Sequence, residues 1–315
     1  MRKVLTLVIA TALTGLASLA MAAEPLVDAA WVKANIGKPG VVFLDARGKL
    51  GGKSKADYLR AHIPGAVHTN YLKDGWRMKD GNGTVGMLQT TAKLEKLIGG
   101  LGIDNNTHVV VVSNGGKALD VGTSTRIYWT FKVLGHDNVS ILNGGMKAYA
   151  KVDPKTKKPS NPLEKGAVKV SAKTFKGNLR MDMIATKSDV QAAIKSGTPL
   201  VDNRTNNQYV GVNKHGKGKR FGTIPGAKNL PENWITQNGG GFFRDTATLK
   251  KLYAAAGVPT SGDQINFCNT GHWASLGWFA SHELLGNTAT KLYDGSMVEW
   301  TADKSLPMEQ HVKLN

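Results

Sequence analysis

Among 315 residues there is one cysteine, Cys268. A single thiol cannot form an internal disulfide, so the fold must rest on its core alone. Acids are also scarce: 23 Asp and Glu stand against 41 Lys and Arg, a formal charge of +18 at neutral pH. That excess favours anionic partners. No basic helix interleaved with aromatics accompanies it, so nucleic acid is not an expected partner. His62, His68, His108, His136, His215, His272, His282 and His311 show no paired ligand spacing, and neither a metal nor a cofactor is expected.

One apolar run exists, at the start. Arg2 and Lys3 precede an apolar stretch from Val4 to Leu19, diluted by Thr, Gly and Ser, and Ala20-Met21-Ala22 supplies an A-x-A pattern before Ala23. The run is short for a membrane span and ends in small residues. Residues 1–23 are therefore expected to be a cleaved signal peptide, making the mature protein exported, most simply periplasmic, with no stable membrane association. A lone thiol in such a compartment needs a reason.

The remaining chain repeats itself. "TAKLEKLIGGLGIDNNTHVVVVS" (91–113) overlays "ATLKKLYAAAGVPTSGDQINFC" (247–268) at a constant shift, apart from the extra first residue. Leu94, Leu97, Ile98 and Leu101 fall on Leu249, Leu252, Tyr253 and Ala256, the stripe of an amphipathic helix. Gly102 and Gly257 follow as helix stops, then a short apolar strand in each case. Upstream, "VVFLDARG" (41–48) matches "PLVDNRTN" (199–206), and "HIPGA" (62–66) matches "TIPGA" (223–227). Downstream, "SILNGGMKAY" (140–149) matches "TKLYDGSMVEW" (290–300). Strands alternating with helices predict an α/β fold of two tandem domains, each a mainly parallel sheet flanked by helices. The expected boundaries are 24–150 and 178–308. Residues 151–177 form a linker, rich in Pro and Lys up to 166, with an extended segment over 168–175 strapping one domain to the other.

In this alignment Cys268 falls on Ser113, so only the second half can do sulfur chemistry. Cys268 follows a strand and precedes "ASLGWFASHELLG" (274–286), read as a helix opening near Trp273 or Ala274. The thiol thus sits where open α/β sheets place ligands. It also faces a helix N-terminus, whose unpaired N–H groups favour the anionic thiolate, the nucleophilic form. With Gly271 in the six-residue loop, several backbone N–H groups can turn inward as an anion nest. His272 adds a cationic or hydrogen-bonding group. Such a loop suits a thiolate or a persulfide anion.

These features together resemble a tandem-domain rhodanese, a thiosulfate sulfurtransferase. The resemblance covers nearly all the chain beyond the leader: Asp-x-Arg, "HIPGA", the C-x-x-G loop and the Asn/Asp-Gly-Gly/Ser element closing each half. It implies a silent first domain, a persulfide on Cys268, and transfer of sulfane sulfur from thiosulfate to cyanide or another thiophilic acceptor. It also implies that residues 269–273 cradle the sulfur, that Arg204 of "VDNR" lies at the pocket rim against the anionic donor, and that Asp202 is structural. Thiosulfate-specific members often carry Arg and Lys after the cysteine, whereas Asn269 and Thr270 stand here; mercaptopyruvate-type members often have Gly and Ser. Loop charge must then come from elsewhere. The basic run "NKHGKGKR" (213–220) is one source, and Trp76 and Arg77 are expected to reach the cleft from the first domain.

Alternatives differ in recognisable ways. A Cys-x5-Arg phosphatase needs Arg where Ala274 stands. "SNGGKALDVGTS" (113–124) lacks phosphate-loop spacing and reads as an enlarged loop of the silent half. A 3-mercaptopyruvate sulfurtransferase, or a carrier loaded once and emptied onto a protein partner, would share the loop. Two domains closing one cleft leave no need for a dimer, so a monomer is expected.

Overall fold

The computed structural model of the protein describes residues 23–314. The leader expected over 1–23 therefore lies, but for Ala23, outside the described residues.

The first half runs β1 (Leu26–Val27), α1 (Ala29–Ala34), β2 (Val41–Asp45), α2 (Lys55–Arg60), β3 (Val67–His68), β4 (Arg77–Lys79), β5 (Val85–Leu88), α3 (Thr91–Gly100), β6 (His108–Val112), α4 (Ala118–Val133), β7 (Val139–Leu142) and α5 (Gly145–Tyr149). The second runs β8 (Ile184–Ala185), α6 (Lys187–Ser196), β9 (Leu200–Asp202), α7 (Asn206–Tyr209), β10 (Lys228–Asn229), α8 (Glu232–Ile235), α9 (Thr246–Ala255), β11 (Gln264–Phe267), α10 (His272–Phe279), β12 (Thr290–Tyr293) and α11 (Ser296–Ala302). Each half builds its own parallel sheet, ordered β3-β2-β6-β7-β1 and β10-β9-β11-β12-β8. The two orders are the same, and the expected α/β architecture of paired parallel sheets is observed. β6 and β11 are the central strands. Helices cover both faces of a parallel sheet, which is why His108–Val112 reads as an unbroken apolar run.

The repeated helices lie where the shared stripe put them. Leu94 and Ile98 of α3 are buried, as are Leu249 and Tyr253 of α9. Just past them Gly102 and Gly257 adopt φ of 77° and 66°, a left-handed turn that glycine enters without steric cost.

A first expectation fails. The segment 113–124 is not an enlarged loop: only 113–117 are irregular, and α4 begins at Ala118. All of α4 but Leu119 is buried, because the helix packs on the sheet of its own half and on α10 of the other. Its small residues permit that approach. A Cβ on Gly122 would stand 2.6 Å from His272 Nε2, and the hydroxyls of Thr125 and Ser275 meet at 2.7 Å.

Residues 151–166 are mostly exposed, with Glu164 paired to His62. The chain then runs extended along the first half. Lys173 N donates to Gly99 O, Phe175 is buried, Asn178 N donates to Leu134 O, and Arg180 pairs with Asp137 at 2.6 Å. The described contacts of 168–175 are thus with the first half.

Both Asp-x-Arg elements close on themselves. Arg204, expected at the pocket rim, is instead buried at 2% exposure. Its Nε donates to both Asp202 carboxylate oxygens, at 2.9 and 3.1 Å, and its Nη2 donates to Asp202 Oδ2 and to Gly222 O. Thr223 Oγ1 donates to the same carboxylate at 2.7 Å. Arg47 pairs with Asp45 in the same way in the half that has no cysteine. A pair present in both halves serves the fold: it ties the end of a central-sheet strand to the next crossover. Removing one partner of such a buried pair strands the other charge. Arg204→Ala is therefore expected to cost about 3–5 kcal/mol in denaturant unfolding. A loss within error would show that the pair does not support the fold.

Candidate active site

Cys268 ends the central strand of the second sheet, one residue beyond β11. Its side chain is 1% exposed and borders a cavity of about 350 Å³. Asn269, Thr270, His272 and Trp273 line the same cavity. Across from them stand Leu50, Leu72, Arg77 and Leu119 of the first half, and His215 from the basic run. The thiol is thus buried with the hydrophobic cluster that the two halves share, and it borders the interdomain cavity.

The loop is held from outside. Cys268 O accepts from Met297 N and Asn269 O from Val298 N, both at 3.0 Å. Ser296 Oγ accepts from Cys268 N at 3.1 Å and Gly271 N at 3.2 Å, and donates to Tyr293 O. The Gly271 N–H is therefore committed to Ser296, contrary to the expectation that it faces the sulfur. The N–H groups of Asn269, Thr270, His272 and Trp273 have no backbone or side-chain acceptor among the described residues. α10 opens at His272, one residue earlier than expected, with Gly271 as its left-handed cap.

The first half shows what such a loop attracts. There Ser113 O and Asn114 O accept from Met146 N and Lys147 N, matching the second half bond for bond. Gly115 N and Gly116 N donate to Asp120 Oδ2, at 2.6 and 3.4 Å. Burial pushes this carboxyl up from its ordinary value, and the loop N–H groups oppose that. That loop is filled by a carboxylate of its own chain. At the corresponding place in the second half stands Ser275, which donates to His272 O, so that loop has no internal anion.

His272 is not cationic. Its Nε2 donates to Leu119 O at 2.8 Å, and Tyr71 OH donates to its Nδ1 at 3.0 Å, which fixes the neutral ring in one tautomer. Burial, with Arg77 and Arg126 adding repulsion, brings its pKa down to about 3. Asn269 turns its amide to Gln208 Oε1 at 2.8 Å. Trp273 is half-buried against the core while lining the cavity.

Several functional neighbours carried no sequence signal. Arg126 of α4 is fully buried, donates to Gly271 O and Gly86 O, and pairs with Asp294 at 2.6 Å. A Cβ on Gly271 would collide with its guanidinium. Asp294 in turn accepts from Leu88 N of the β4–β5 hairpin. Ser296 could have been found: it replaces Gly145 in the alignment that set Cys268 against Ser113. Both positions have positive φ, 48° for Ser296 and 58° for Gly145, a conformation costly for serine. The basic run reaches the cavity through His215, held towards neutrality by burial and then by Lys217 and Lys214. Arg220, by contrast, caps the end of α11 by donating to Trp300, Thr301, Asp303 and Leu306 carbonyls. Trp76 is core, its Nε1 donating to Thr69 Oγ1.

Comparison with known proteins yields a consistent picture. A family model described as "Rhodanese-like domain" matches residues 28–152 and again 186–303. The chain is 32% identical over 286 residues to a thiosulfate sulfurtransferase of Bos taurus, covering 87% of this chain and 91% of that protein. It is 33% identical over 261 residues to a putative thiosulfate sulfurtransferase of Haloferax volcanii, covering 80% and 85%. Among solved structures, a 3-mercaptopyruvate sulfotransferase from Escherichia coli superposes with a TM-score of 0.72 at 25% identity, covering 87% of this chain and 99% of that one.

Two outcomes are expected. Ser296→Gly keeps the backbone turn but removes the hydroxyl that receives two loop N–H groups; persulfide loading should fall by about tenfold or more while the melting temperature barely moves. Unchanged loading would show that the loop holds itself. His272, with a folded pKa of about 3, stays neutral where the unfolded chain protonates near pH 6.5. The unfolded state then binds the extra proton, so stability falls as pH drops through the window between those values. His272→Gln should flatten that part of the stability–pH curve; an identical slope in both proteins would refute the assignment.

Proposed function

The chain belongs to the rhodanese family, and from that premise we propose that it moves a sulfane sulfur from thiosulfate to cyanide or another thiophilic acceptor through a persulfide on Cys268. It is a sulfurtransferase, with a sulfur donor and a sulfur acceptor as substrates. The observation carrying the site assignment is the pair of loops: the silent one holds the Asp120 carboxylate on its N–H groups, and the catalytic one offers N–H groups and a thiol with no acid of its own.

In the first step the Cys268 thiolate attacks the outer sulfur of thiosulfate. A Cys268 Sγ–S bond forms, the S–S bond of the donor breaks, and sulfite leaves with the electron pair. The persulfide carries one negative charge, and the N–H groups of Asn269, Thr270, His272 and Trp273, without an acceptor among the described residues, are the donors it would take. In the second step cyanide attacks the outer sulfur, thiocyanate departs, and the Cys268 thiolate is restored. Each half-reaction begins with an anion, so neither needs a general base. The neutral His272 is consistent with that: it fixes the loop against Leu119 and Tyr71 and carries no proton to the substrate.

The uncharged Asn269 and Thr270, and the likeness to a 3-mercaptopyruvate enzyme, make 3-mercaptopyruvate the second candidate donor. Side-by-side kcat/KM values for the two donors separate them. The leader-like residues 1–23 support export to a periplasm, and the cavity completed within one chain supports a monomer. No described helix is long and apolar enough to cross a membrane.

Intact mass is the direct test. Thiosulfate should add one sulfur to the protein, cyanide should remove it, and Cys268→Ser should retain the fold while gaining nothing. Normal thiosulfate–cyanide turnover by Cys268→Ser would sink the proposal.

A further inference from the structure

The cavity over Cys268 is lined by one permanent cation and by no acid. That cation, Arg77, comes from the catalytically silent half. It opens β4, opposite Leu88 of β5, and the hairpin rests on the catalytic loop. A Cβ on Gly86, near the hairpin tip, would lie 2.9 Å from Thr270 and 3.3 Å from Arg77 Nη1, so backbone, loop and guanidinium are packed together. The guanidinium lies over the Tyr71 ring, 4.5 Å from its centroid, and Tyr71 OH donates to His272 of the loop.

What distinguishes Arg77 is that it is unspent. Arg204 is consumed by Asp202 and Gly222. Arg126 is consumed by Asp294, Gly271 and Gly86. The Arg77 guanidinium has no hydrogen-bond acceptor and no carboxylate among the described residues, although it is half-buried at the cavity wall. Leu50, Leu72 and Leu119 surround the same space, and an apolar wall strengthens a charge pair formed inside it. Neither histidine competes, since both His272 and His215 are held towards the neutral form.

We propose that Arg77 is the residue that binds the anionic group of the sulfur donor, so that the silent half supplies the specificity charge that the catalytic loop lacks. The planar fork of a guanidinium matches two oxygens of a sulfonate or a carboxylate, and Arg77 lines the cavity with no acceptor of its own among the described residues. With the oxygens held there, the sulfane sulfur of the donor is directed to Cys268. This rests on the sulfurtransferase reading above and adds to it which domain recognises the donor.

The test uses the full-length protein with Arg77→Met and Arg77→Lys. Arg77→Met should raise KM for thiosulfate by about 10- to 100-fold, the worth of a charged hydrogen bond, with Arg77→Lys in between. Discharge of the Cys268 persulfide to dithiothreitol, a neutral acceptor, should be affected far less, because it needs no donor anion. The same comparison with 3-mercaptopyruvate tells a sulfonate site from a carboxylate site. A second arm avoids turnover: sulfite should slow alkylation of Cys268 by iodoacetamide in the parent protein and fail to do so in Arg77→Met. Unchanged KM for both donors, or equal slowing of loading and discharge, overturns the proposal. If the parent protein takes no sulfur from either donor, the functional reading falls, and sulfite protection still decides the role of Arg77.

Discussion

A loop whose N–H groups find no acceptor in the protein gives up the backbone bonds that would otherwise hold its shape. Everything around residues 268–273 answers that constraint. The first carbonyls of the loop are caught by the opening turn of α11, through Met297 N and Val298 N. Ser296 Oγ takes the N–H groups of Cys268 and Gly271. Arg126 reaches across from the first half to hold Gly271 O, and its charge is balanced by Asp294. The side chains doing this are nine-tenths or more buried, where hydrogen bonds are strong and misplacement is costly. The loop is thus held by bonds from its surroundings rather than by bonds of its own.

The two halves show how duplication separates folding from chemistry. They share sheet order, the Asp-x-Arg clasp and the bonds that pin the loop carbonyls. They differ at a few atoms. Ser113 stands opposite Cys268, Gly145 opposite Ser296, and the Asp120 carboxylate occupies the N–H groups of the first loop. In one copy the chain's own carboxylate takes the loop N–H groups, and that half lines the cavity through Leu50, Leu72, Leu119 and Arg77. In the other, no carboxylate of the described residues accepts from the N–H groups of Asn269, Thr270, His272 and Trp273. Neither copy holds the whole cavity, which explains why α4 and α10 pack so closely that Gly122 has no room for a Cβ.

The large positive charge has more than one use. Arg204 and Arg47 clasp strand ends, Arg220 caps α11, and Lys132 joins Asp137 to Glu283 across the halves. Exposed Lys214, Lys217 and Lys219 remain near His215, beside the cavity, where a long-range field draws anions inward. Among the described residues, charge thus divides into clasps that are buried and spent, a surface that is solvated, and the Arg77 guanidinium with no hydrogen-bond acceptor.

The sequence by itself determined the two-copy plan, the alternation of strand and helix, and the position of the lone cysteine at the end of a strand in one copy only. Those are local or repeated patterns: a stripe such as Leu94, Leu97, Ile98 and Leu101 records which face of an element leaves water. Tertiary structure alone decided that Arg204 turns back on Asp202, that Gly271 N faces Ser296, that His272 is neutral, and that Tyr71 bonds the His272 ring beneath the Arg77 guanidinium. α4 escaped for a related reason, since a helix buried all round has no wet face to set a period. Which side chains meet across the cleft depends on how two finished domains dock, and no spacing along a single chain encodes that.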